Sequence, residues 1–110
     1  MPKRLVIVKG NDVKFEVRVK SAGLPVNIET VDIFCEVKDR PGGNLLFEAI
    51  VTKTDAENGI FEVWFPRDRT AGLNVGQRVY FDFRFVFADG TEKNYPVPPF
   101  EAFVVERVTD

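Results

Sequence analysis

The sequence predicts an all-β domain, because apolar and polar residues alternate along several segments and the apolar residues are of the kinds that favour strands. The chain of 110 residues contains 11 phenylalanines but one methionine. Aromatic and β-branched side chains fit a pleated surface and lose rotamer freedom in a helix. A chain of this length has room for one domain, which we expect to cover residues 1–110.

The alternation first appears in residues 13–20, where valines and a phenylalanine at odd positions alternate with charged residues. Turn-forming residues follow at 21–25. A second strand is predicted over residues 31–38, and its inward-facing residues are Val31, Ile33, Cys35 and Val37. Residues 45–52, which are mostly apolar, are predicted to form the next strand.

In the middle of the chain, Asn58 and Gly59 predict a sharp turn, since this pair tolerates the positive φ that a reversal needs. Residues 60–65 are predicted to form a strand that ends at Pro66. The polar stretch that follows, residues 67–76, has room for a single helical turn.

The clearest strand begins near Arg78, and its inward-facing residues are Val79, Phe81, Phe83, Phe85 and Phe87. Asp89 and Gly90 predict a hairpin to a partner strand over residues 91–95. Prolines at 96, 98 and 99 interrupt that strand and favour a position at a sheet edge. Residues 100–108 are predicted to form the last of about eight strands, a count that includes a short strand over residues 5–8 at the start of the chain. We expect a single antiparallel β-sandwich, with a small β-barrel as the second choice.

Composition excludes several classes of function. The net charge is −2, and the 15 basic residues are interspersed with 17 acidic ones, so no nucleic-acid partner is expected. No stretch is apolar for long enough to cross a membrane, and residues 1–8 are too short for a secretory signal. The single cysteine, Cys35, excludes an internal disulfide and favours a reducing cytoplasm.

The residue types needed for common catalysis are missing. The chain contains no histidine, so neither Ser21 nor Cys35 has the usual base, and a zinc site is not expected. We expect no cofactor, no metal and no enzymatic activity. Carboxylate chemistry is the one enzymatic option left, through residues such as Glu48, Glu62 and Asp82. The simpler interpretation places each of them on an outer face, opposite an arginine or lysine.

Four aromatic residues are candidates for a protein interface. Phe34, Trp64 and Tyr80 fall out of phase with the inward-facing positions or compete for both faces, and Tyr95 lies beside the prolines. Exposed aromatic clusters are typical of interfaces, although tryptophan and phenylalanine also fill ordinary cores.

The order of strands and turns resembles the small immunoglobulin-like β-sandwich domains of tailed-phage virion proteins, particularly the N-terminal domain of the upper baseplate protein. The resemblance covers residues 8–108. The segments that carry it are residues 12–19, 23–27, 36–39, 42–43, 58–63, 76–85 and 89–91. It implies a structural role in which the domain docks onto neighbouring virion proteins.

Two functions are therefore consistent with the sequence. The first is a non-catalytic phage structural protein, made in the host cytoplasm and present in the virion as a baseplate, tail or capsid-decoration component. Its expected partners are other virion proteins, and a homo-oligomer is a further expected form. The second is a carbohydrate- or ligand-binding module in which Trp64, Tyr80 and Tyr95 stack on sugar rings.

Overall fold

Ten strands form in residues 5–107, the part of the chain that the computed structural model describes, apart from the side chains of residues 97 and 98. Their bounds are β1 Leu5–Val8, β2 Val13–Arg18, β3 Lys20–Ser21, β4 Leu24–Pro25, β5 Asp32–Lys38, β6 Leu45–Glu48, β7 Ile50–Asp55, β8 Ile60–Phe65, β9 Arg78–Val86 and β10 Glu92–Val105. A 3-10 turn covers Ala56–Asn58, and a one-turn helix, α1, covers Arg67–Thr70. Apart from β3 and β4, which have two residues each, eight strands remain. This equals the predicted number because the strand predicted over residues 45–52 forms two strands, while those predicted over 91–95 and 100–108 form one.

These strands form two facing sheets and a short hairpin. The larger sheet has five strands in the order β1-β10-β9-β5-β6, the smaller has three in the order β2-β8-β7, and β3 pairs with β4. An immunoglobulin-like sandwich has strands C, F and G in one sheet and B, E and D in the other. Here β5, β9 and β10 take the first three places, and β2, β8 and β7 take the second three. The predicted all-β sandwich is confirmed, and the second choice, a closed barrel, does not form from the described residues. One pairing departs from the antiparallel prediction, because β1 runs parallel to β10.

The core lies between the two sheets and is built mainly from phenylalanine rings. Phe61 of β8 meets Phe83 of β9 edge to face, with ring centroids 5.4 Å apart, and Phe65 meets Phe81 at 5.3 Å. Such edge-to-face contacts stabilise a core beyond the area that they bury. The inward-facing positions predicted for β9 are confirmed as buried from residue 79 to residue 85, whereas Phe87 lies beyond the end of the strand and is half-buried.

The prediction of a single strand over residues 45–52 is wrong. The chain leaves the five-stranded sheet after Glu48 and enters the three-stranded sheet at Ile50, and the backbone N–H of Ala49 donates to the carbonyl of Cys35 at 2.9 Å. The sequence of residues 45–52 is apolar on both sides because two large residues on the side away from the core, Leu46 and Ile50, are exposed.

The proline segment interrupts the pairing of β10 without ending the strand. The register between β10 and β9 shifts between Tyr95 and Phe100, and pairing then resumes. On the other side, β1 pairs only with Ala102–Val105. The predicted edge position is therefore correct for the first part of β10, where β9 is the single neighbour among the described residues. Residue 108, the predicted end of the last strand, lies outside the described residues.

Candidate interaction surfaces

The four predicted interface residues lie on three different surfaces. Phe34 and Tyr80 lie on the outer face of the five-stranded sheet, because the residues that alternate with them in β5 and β9 are buried. Trp64 lies on the outer face of the three-stranded sheet. Tyr95 lies at the open edge between the two sheets and lines a cleft there. No single patch of the described residues contains all four side chains.

The outer face of the five-stranded sheet carries a row of three carboxylates. Glu48 of β6 is in register with Glu36 of β5, and Glu36 is in register with Asp82 of β9. The prediction that Glu48 and Asp82 lie opposite basic residues is therefore wrong, because each lies opposite another acid. The same holds for Glu62 of β8, which lies opposite Glu16. Strand register decides these pairings, and the alternation within a single strand carries no information about register.

Little within the chain neutralises this acidic row. Among the described residues its one ion pair joins the Nζ of Lys38 to Glu36 Oε1 at 3.9 Å, and Asn94 donates a hydrogen bond of 3.2 Å to Asp82. Beneath the row, burial raises the pKa of the Cys35 thiol well above its ordinary value, and the charges of Asp82 and Glu36 raise it further. A buried thiol kept protonated in this way is a core residue rather than a nucleophile.

Aromatic residues flank the acidic row on both sides. Phe34 lies one cross-strand row away, with 41 % of its surface exposed, and the guanidinium of Arg84 lies over its ring at 4.6 Å. Tyr80 lies on the other side of the row, opposite Lys38. A recess of about 140 Å³ opens beside Tyr80, and its charged lining residues are two acids, Glu36 and Asp82, and two bases, Lys38 and Arg40.

Trp64 has partners of its own on the opposite face of the molecule. Its Nε1–H donates to Asp12 Oδ1 at 2.9 Å, and the Nζ of Lys14 lies 4.9 Å from the ring centroid. The backbone N–H of Arg67, the first residue of α1, donates to the same oxygen of Asp12 at 2.9 Å. The hydrogen bond from Trp64 and then the one from Arg67 lower the pKa of Asp12. Asp12 is not identifiable from the sequence as a partner of Trp64, since 52 residues separate the two.

Tyr95 borders a cleft of about 570 Å³ between the end of β2 and the start of β10. The side chains at its floor, which include Ile28, Val31 and Phe85, are buried and apolar. Exposed basic residues lie among its lining residues, and these are Arg18, Lys20 and Lys93. This cleft is not predictable from the sequence, because an unpaired strand edge does not change the alternation of apolar and polar residues within the strand.

Residues 5–107 contain no group of three or more histidine, cysteine, aspartate or glutamate side chains placed to hold a metal ion. Within the same residues, no helix has the length and hydropathy needed to cross a bilayer.

Comparisons with known proteins show similarity to solved structures. No protein-family model matches the sequence, and no curated protein matches it. Among solved structures, the chain is similar to the crystal structure of the ZIG-8–RIG-5 IG1–IG1 heterodimer in its monoclinic form. The TM-score is 0.47 at 12 % sequence identity, over 96 % of this chain and 84 % of that one. The assignment to an immunoglobulin-like sandwich accordingly depends on the strand order described above.

Proposed function

We propose that this chain is a non-catalytic binding module that acts through protein–protein contacts at the outer face of its five-stranded sheet. The observation that carries the proposal is the acidic row Glu48–Glu36–Asp82, which lies between two aromatic side chains, Phe34 and Tyr80. The partner that fits such a face presents a lysine or arginine to the row and apolar surface to the rings.

We expect the row to cost the isolated chain stability, and such a cost supports a binding role. Like charges directly opposite each other on neighbouring strands are destabilising, by an amount on the order of 0.2–1 kcal/mol for each pair. The Lys38–Glu36 pair is partly exposed and offsets little of this. A basic side chain from a partner, placed over the row, would be attracted by both Glu36 and Asp82. The rings of Phe34 and Tyr80, together with Arg84, are of the residue types that are enriched where interfaces are most deeply buried.

The setting that we propose for this binding is a phage virion, and the support is the sequence resemblance to small sandwich domains of tailed-phage proteins. In that setting the chain is made in the host cytoplasm and docks onto other virion proteins, as a baseplate, tail or capsid-decoration component. Further copies of the chain are possible neighbours. The role requires no cofactor, nucleic acid or membrane.

Quantitative mass spectrometry of purified particles tests the setting, by counting copies of this chain against the major shell protein. A ratio near one to one supports a capsid-decoration role, and a much smaller number supports a tail or baseplate role. Absence from the particles would overturn the virion proposal.

Charge-neutral variants test the surface. We expect Glu36→Gln and Tyr80→Ala to weaken incorporation into particles, while the matched variant Glu62→Gln, on the outer face of the other sheet, leaves it unchanged. Equal incorporation of all three variants would remove this face from the proposed interface.

The carbohydrate-binding alternative stays a prediction. The rings of Trp64, Tyr80 and Tyr95 lie on three surfaces, so a single glycan would contact them one at a time.

A further inference from the structure

The core-facing side of β2 is covered less completely than that of its neighbour β8. In β8 the inward-facing residues Phe61, Val63 and Phe65 are fully buried, each with 0 % of its surface exposed. In and just after β2, every inward-facing residue is only half-buried, and these residues are Val13, Phe15, Val17 and Val19. The partial exposure therefore runs along the whole strand, over a length of about 20 Å at the usual rise of about 3.4 Å per residue.

The cause is the position of β2 in the sandwich. β2 is an outer strand of the three-stranded sheet, and among the described residues no strand pairs with its free edge. Across the gap, β1 covers β10 only at Ala102–Val105 and leaves the first part of β10 uncovered. The cleft of about 570 Å³ opens at this place, where the two sheets are not joined by any strand of the described chain.

The backbone of β2 is also free to pair along this edge. The N–H of Val19 donates to the carbonyl of Gly59 at 2.8 Å, on the side of β8. Because hydrogen bonding alternates along an antiparallel strand, the peptide groups of Lys14, Glu16 and Arg18 point to the opposite side, toward the free edge. The facing strand β10 contains Pro96, which has no N–H to donate. β2 is thus a better template for an added strand than β10.

The charges around the cleft indicate what kind of strand would fit. Arg18, Lys20 and Lys93 line it and are exposed, and Lys14 lies on the same outer face of β2 as Arg18. Glu16 is the one acid in this part of β2, and it forms an ion pair with Arg18 at 3.0 Å. An added strand places its outward side chains opposite those of β2, where opposite charges are favourable. Acidic residues are therefore preferred at its outward positions.

We propose that β2 accepts an extended segment of a partner protein as an added antiparallel or parallel strand, with apolar residues inserted over Val13–Val19 and acidic residues alternating with them outside. The proposal deepens the proposed protein-binding function by naming a second surface and its partner, and it rests on that function. An extended segment fits better than a compact ligand, since the half-buried side chains follow the full length of the strand and not only the cleft. Main-chain hydrogen bonds supply affinity in this mode of recognition, and alternate side chains supply specificity.

The test uses the full chain and synthetic octapeptides in which valine alternates with glutamate. We expect binding by calorimetry, together with slower hydrogen exchange of the amides of Lys14, Glu16 and Arg18. Two control peptides are expected to bind at least about tenfold more weakly. In one of them lysine replaces glutamate, and in the other the same valines and glutamates are arranged in two blocks.

Charge reversal at the rim provides the matched variants. Arg18→Glu combined with Lys20→Glu is expected to weaken binding of the valine–glutamate peptide by about tenfold. Arg69→Glu, an equally exposed reversal in α1, is expected to leave it unchanged. Thermal unfolding of each variant establishes that it is folded.

Three results would overturn the proposal. The first is binding without slower exchange of the β2 amides. The second is saturation of the cleft by a fatty acid that excludes the peptide while those amides stay exposed, which would assign the cleft to an amphiphile. The third is dimerisation of the chain through β2, which would assign the edge to a second copy. None of these results bears on incorporation through the acidic row, so failure here is distinguishable from failure of the proposed function.

Discussion

Trp64 donates its indole N–H to a carboxylate oxygen of Asp12 at 2.9 Å, and this contact joins the outer face of β8 to the loop between β1 and β2. The same oxygen accepts the backbone N–H of Arg67, which would otherwise be an unpaired donor in the first turn of α1. One carboxylate thus holds the tryptophan and the start of the helix. These contacts within the chain account for a tryptophan at position 64 without requiring a partner protein.

The lowered pKa of Asp12 predicts a pH-dependent contribution to stability. Because the folded chain lowers the pKa below the ordinary value of 3.8, the contribution is fully present above that value and is lost as pH falls through the folded pKa. Asp12→Asn keeps an acceptor but cannot titrate, so we expect its stability to fall less than that of the parent chain in the most acidic range. Urea unfolding followed by Trp64 fluorescence measures this difference. Parallel acid profiles for the two chains would contradict it.

Gly59 is the position where an added methyl group should cost most. Its φ is 72°, and a Cβ there would lie 2.5 Å from the carbonyl oxygen of Val26 and 2.7 Å from that of Val19. We expect Gly59→Ala to destabilise the fold by more than the cost of a left-handed residue alone, which is about 1–2 kcal/mol. Gly90→Ala is the control, since its φ is 89° but no atom lies within 4 Å of its Cβ position. Equal losses in denaturant unfolding would show that the backbone contacts at Gly59 are relieved without cost.

Phe83 and Phe34 offer a comparison between a buried and an exposed ring in strands that pair with each other. Phe83 has 0 % of its surface exposed, and Phe34 has 41 %. Phe83→Ala is expected to cost roughly 3–5 kcal/mol, from lost burial and the cavity left behind. Phe34→Ala is expected to cost about 0.5–1 kcal/mol, mainly through the lost contact with Arg84. Chemical denaturation measures both values, and a large loss for Phe34→Ala would mean that its ring supports the fold rather than a surface.

Where the sequence predicted the fold correctly, the information was local to one strand. The strict alternation of β9 identified its buried face, because residues two apart in a strand lie on the same side. The exit from one sheet at Ala49 was not predictable in this way, since Leu46 and Phe47 before it and Ile50 and Val51 after it place apolar residues on both faces of the predicted strand. The acidic row and the Asp12–Trp64 contact depend on register and on long-range docking, and a single sequence does not encode these as a periodic pattern.

The acidic row predicts that one substitution raises the stability of the chain, whereas the other substitutions are expected to lower it. Glu48→Gln removes one of two like-charged pairs on the outer face, so we expect stability to rise by about 0.2–1 kcal/mol. The gain should shrink at about 1 M salt, where screening weakens interactions between exposed charges. Glu106→Gln, at an exposed acid beyond the end of β10, is the control and should change stability little. If Glu48→Gln stabilises the chain and also weakens incorporation into particles, the acids are retained for binding at the expense of stability. A loss of stability would instead mean that Glu48 has a favourable partner in solution, and the argument from the acidic row would lose its basis.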